Sequence, residues 1–101
     1  MFGKRKSASE LNPPPLAQTH PEATEVLRIW TAPEEGPHVV LRTTWQDPAA
    51  WGVMLVDVAR HAANAYAKEG WNRAEALAQI KALFDAEWSA PTDEAREIKP
   101  Q

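Results

Sequence analysis

Two runs rich in β-branched and aromatic residues, 24–32 and 38–45, flank a turn-forming segment that contains Pro33, Gly36 and Pro37. The second run, His38 to Trp45, predicts a strand bounded by turn formers. A strand needs a partner, and the first run supplies one through a Gly-containing loop. Leu27 and Ile29 then lie against Val39 and Leu41 as the apolar face of a hairpin, with Arg28 and Arg42 on the opposite face. Residues 21–30 also fit a short helix with Pro21 in its first turn, so strand and helix are both open for this stretch.

From Asp47 onward the period changes. Asp47 can cap free amides, and Pro48 loses no hydrogen bond at a first helical position, so a helix is predicted from Ala49 to about Glu69. Trp51, Leu55, Val58, Ala62 and Ala65 recur at steps of three and four as its core-facing stripe, and Gly70 supplies its stop. Asn72 and Glu75 have the spacing of a capping box, with Trp71 and Ala76 placed as a hydrophobic staple. A second helix follows, with the stripe Leu77, Ile80, Leu83, Phe84 and Trp88. The short connection makes the two helices antiparallel neighbours. The fold class expected is α+β in the order ββαα. Two strands alone leave bare edges, which a symmetric dimer would cover by aligning hairpins edge to edge or by packing helix faces.

Composition adds boundaries and exclusions. The chain has 101 residues, 44% of them hydrophobic and 25% charged, which is the range of a single globular domain. Residues 1–20 hold Lys4, Arg5, Lys6 and the run Pro13 to Pro15, and predict a flexible Pro-rich basic arm with polyproline II character. Residues 91–101 predict a frayed charged tail. The folded unit is therefore expected over 21–90. The absence of cysteine rules out disulfides, thiolate nucleophiles and cysteine-bound metal, and suits a reducing cytoplasm. No run reaches the length and apolarity of a membrane span, and the basic start is not followed by an apolar signal-peptide core.

The charge balance argues against nucleic acid. Residues 21–90 carry six Lys or Arg against ten Asp or Glu, the wrong sign for a phosphate-binding surface. The glycines are isolated and form no phosphate loop, so no cofactor is expected. His20, His38 and His61 have no metal-ligand spacing, so no metal is expected either. Asp57, His61 and Asn64 share one helix face and are the candidate catalytic group, because a carboxylate one turn before an imidazole can fix its tautomer for general base work. The bland reading is an ordinary solvated helix face. No nucleophile accompanies these residues. Tryptophan is enriched at interface cores, and Trp30, Arg28, Arg42 and Trp45 are the candidate interface residues. Asp85 and Glu87 stand near the end of the second helix, where its dipole prefers cations, and Arg28 or Arg42 is a possible partner for them.

The strings His20-Pro-Glu-Ala-Thr-Glu-Val-Leu-Arg-Ile-Trp30, Asp47-Pro-Ala-Ala-Trp-Gly52, Asp57-Val-Ala-Arg-His-Ala-Ala-Asn-Ala-Tyr66 and Phe84-Asp-Ala-Glu-Trp88 resemble the small proteobacterial family DUF5076 over about residues 20–93. The resemblance implies a bacterial, alphaproteobacterial origin. It implies no activity, and the family offers no catalytic residues to carry over. The function expected is that of a non-catalytic protein-binding or homodimeric module. The alternative is a small-molecule-binding or acid/base enzyme that uses the Asp57, His61 and Asn64 face.

Overall fold

The computed structural model describes residues 9–91. The elements run α1 (Leu16–Thr19), β1 (Leu27–Trp30), β2 (His38–Leu41), α2 (Ala49–Lys68) and α3 (Arg73–Ser89). They fall into two compact units, one up to Thr44 and one from Trp45. The architecture is the expected α+β order: an antiparallel strand hairpin, then two long helices.

In the first unit, residues 27–30 are strand, which decides between the two readings open for 21–30. The register sets Leu27 against Leu41, Arg28 against Val40, Ile29 against Val39 and Trp30 against His38. Leu27, Ile29, Val39 and Leu41 therefore share one face, because side chains alternate along a strand. In the connection the left-handed residue is Glu34, with φ 66°, rather than Gly36. It follows the turn residues Ala32 and Pro33, and the Glu35 amide donates back to the Ala32 carbonyl. One position of the proline run differs from the expected polyproline II character. Pro15 adopts helical dihedrals, not polyproline II, and opens the single turn α1; its fixed φ suits a first helical turn as well as an extended one. Lys4, Arg5 and Lys6, and the tail from residue 92, lie outside the described residues.

In the second unit the helix boundaries follow the local signals. Asp47 Oδ1 accepts from the Ala49 amide at 2.9 Å, and Asn72 Oδ1 accepts from the Glu75 amide at 3.0 Å. Between the helices Gly70 has φ 104°. There the Trp71 amide donates to the Tyr66 carbonyl and the Gly70 amide to the Ala67 carbonyl. This crossed pair is a Schellman cap, and its customary apolar contact is the edge-to-face packing of Trp71 on Tyr66 at 5.5 Å. Trp71 thus closes the end of α2.

The packing face of α2 differs from the expected stripe. Leu55 and Val58 are 40% and 45% exposed, whereas Ala63 is fully buried and Ala76 of α3 nearly so. Of the expected stripe, Trp51 and Ala62 are half-buried, and the fully buried position is Ala63, next to Ala62 in sequence. Ala63 and Ala76 are the whole buried core among the described residues.

Candidate functional site

The first turns of α2 and the last turns of α3 flank an open groove of about 820 Å³. Trp51, Leu55 and Val56 line one wall; Ile80, Phe84 and Trp88 line the other. Gly52 also borders it, and a Cβ at Gly52 would meet nothing within 4 Å, so the helices are not in contact there. Phe84 and Trp88 stack with centroids 5.6 Å apart and ring planes at 18°. An i, i+4 aromatic pair of this kind extends its apolar area along the groove. The ionisable lining residues are Arg60, Lys81 and Asp85. Lys81 Nζ sits 2.7 Å from Asp85 Oδ2, so Asp85, one of the two acidic residues near the end of α3, is paired one turn back on its own helix.

Sequence reasoning did not anticipate this groove. Leu77, Ile80, Phe84 and Trp88 are legible as apolar and periodicity assigns them to a core, but only Leu77 and Ile80 are half-buried, and Phe84 and Trp88 are exposed. Trp45, a candidate interface residue, packs edge to face on Trp51 at 5.6 Å and 75°.

On the strand hairpin, Arg28 is the centre of an ion-pair cluster. Its guanidinium reaches Glu25 at 2.6 Å and Glu10 at 3.5 Å, while Arg42 Nε donates to the Glu25 carbonyl oxygen at 2.9 Å. The hydrogen bond from Arg28 holds the Glu25 carboxyl below the usual glutamate range. Trp30 stands two residues from Arg28 on the same strand face and is 40% exposed. Arg28 and Trp30 thus lie on β1, and Arg42 follows β2 in the same hairpin.

Asp57, His61 and Asn64 are all exposed on α2. Asn64 Oδ1 accepts from Arg73 Nε across the interhelical turn, a structural use of the amide. None of the three lines the groove. His20 bonds Thr19 and His38 lies 3.4 Å from Glu35, and no group of three or more potential metal ligands occurs among the described residues. Among the same residues no helix is long and apolar enough to cross a membrane.

These features define a small α+β protein in which a strand hairpin precedes a helical hairpin and apolar surface is left open on both. The sequence profile of DUF5076, a domain of unknown function, matches residues 10–92. The chain belongs to that family. It is similar, at 37% identity and a TM-score of 0.67, to a solved structure described as a "putative pyruvate dehydrogenase" from the photosynthetic bacterium Rhodopseudomonas palustrus CGA009, with all of both chains covered. No curated protein matches it.

Proposed function

We propose that the chain is a non-catalytic module that works by binding, as a cytoplasmic homodimer or as a protein-binding partner, and that residues 21–90 form its functional unit. One observation carries this reading: Ala63 and Ala76 are the only buried residues described, while large side chains such as Val53, Phe84 and Trp88 are 68%, 49% and 76% exposed. Large apolar side chains left exposed in this number support a reading in which they meet a partner. A soluble chain gains most by burying them against a second copy.

An acid/base reaction at Asp57, His61 and Asn64 finds less support, since these groups face away from the groove and Asn64 is engaged by Arg73. The dehydrogenase name of the Rhodopseudomonas protein is not carried over, because the groove offers only Arg60 and the Lys81–Asp85 pair as ionisable groups. The test is light scattering on the full chain across a concentration series. A mass twice that of one chain is expected, and a monomer at every concentration would leave only the protein-binding half of the reading.

A further inference from the structure

We infer that the outer edge of β2 is the seat of a second copy of the chain, so that two hairpins join through a two-fold axis into one four-stranded antiparallel sheet. This rests on the homodimer reading above and names where the copies meet.

The ladder itself shows which groups are free. The Arg42 amide donates to the Val26 carbonyl at 3.0 Å, so Val26 and Arg42 are a hydrogen-bonded pair. Alternation along an antiparallel ladder then makes Arg28 and Val40 the next such pair. The N–H and C=O groups of Val39 and Leu41 consequently point away from β1. Among the described residues no other strand pairs with β2. The two edges are not equivalent. Along β1, Ser9, Glu10 and Leu11 border the same recess as Leu27 to Thr31, and Glu10 is tied to Arg28. Residues 9–11 border no such recess along β2, and its residues His38 to Leu41 are all exposed and include no lysine or proline of the kind that protects natural edges.

The edge can pair with its own copy about a two-fold axis at Val40. With the axis at Val40, Val40 faces Val40 of the second copy, and Val39 faces Leu41 of the second copy. The outward groups of Val39 and Leu41 then satisfy one another. Moving the axis to Val39 would set Pro37, which has no N–H, against Leu41 and lose a ladder bond. The register with Val40 at its centre also keeps faces together. Ile29, Val39 and Leu41, each more than half exposed, join Leu27 and the same residues of the second copy in one apolar surface across four strands. A two-stranded hairpin is marginal in water, and four strands with an apolar face are not.

The chain has no cysteine, so single thiols report the contact cleanly. Val40 is 68% exposed, and Val40→Cys leaves the hairpin intact. Facing residues of a non-hydrogen-bonded pair lie about 4.5 Å apart at Cα, within disulfide range. Mild oxidation of full-length Val40→Cys is expected to give a disulfide-linked dimer, and Ile29→Cys on the far strand is expected to stay unlinked. Val39→Pro removes an outward amide while leaving the ladder to β1 whole, and is expected to weaken self-association by roughly tenfold or more. A dimer in which Val40→Cys does not cross-link overturns the edge assignment and leaves the homodimer reading standing. A chain that is monomeric at every concentration overturns both.

Discussion

Glu34 and Gly70 show how single dihedrals decide local stability. Glu34 holds φ 66° without the freedom of glycine, a conformation that costs a non-glycine residue about 1–2 kcal/mol. Glu34→Gly is therefore expected to raise the thermal midpoint of the hairpin by relieving that strain, measured by circular dichroism at strand wavelengths. Gly70→Ala, at φ 104°, should have the opposite sign and destabilise the helical pair by roughly 1 kcal/mol in a denaturant titration. Glu25 adds a pH dependence. Its carboxyl is held below the usual range mainly by its hydrogen bond from Arg28, so the folded hairpin binds fewer protons than the unfolded chain in acid. The stabilisation is complete above the ordinary glutamate range, about 4.3, and is lost as the pH falls through the lower folded value. Glu25→Gln should abolish that acid-side loss when hairpin amide exchange is followed against pH. The left-handed dihedral at Gly70 accords with its reading as a helix stop, whereas the one at Glu34 was not legible, since nothing in a glutamate's type signals it.

At the level of elements, the boundaries were readable because they are set by contacts a few residues long. Asp47, Gly70 and Asn72 each act on a backbone group nearby in sequence, and each does what its type and position imply. Asn72→Ala is expected to cost about 1 kcal/mol through the lost cap, seen as fraying of the first turn of α3. The packing face was not readable in the same way. Hydrophobic periodicity weights Leu55 and Val58, which are exposed, whereas the fully buried Ala63 carries little weight in such a pattern. Enlarging the fully buried Ala63 tests the point. Ala63→Leu should destabilise the helical hairpin by about 1–3 kcal/mol by overpacking, whereas the same change at the exposed Ala65 should be nearly silent. The candidate group Asp57, His61 and Asn64 was legible as a shared face and no further, because the bond from Arg73 that occupies Asn64 crosses an interhelical turn that spacing along one helix does not describe.

At the scale of the whole molecule, the order ββαα could be read from the sequence, whereas the groove beside Gly52 could not, since it is made of surface that fails to be covered. A chain whose described core is two alanines gains stability from whatever covers its remaining apolar area. Linkage then predicts a thermal midpoint that rises with protein concentration. Differential scanning over a wide concentration range should show that rise for the natural chain, and Val39→Pro should flatten it. His61→Ala should change neither the midpoint nor its concentration dependence, in keeping with a side chain that lines no groove.

The placement of the aromatic rings has an optical consequence. Trp30 is the sole tryptophan before Trp45, and the other four share the helical unit, where the Trp45 and Trp51 indoles meet edge to face. Indoles at that range couple their excited states, so the near-ultraviolet dichroism of this chain will carry a signature of the helical unit. Replacing Trp45, Trp51, Trp71 and Trp88 by phenylalanine would leave one emitter, on β1. Its colour would then report the wetting of the strand hairpin alone.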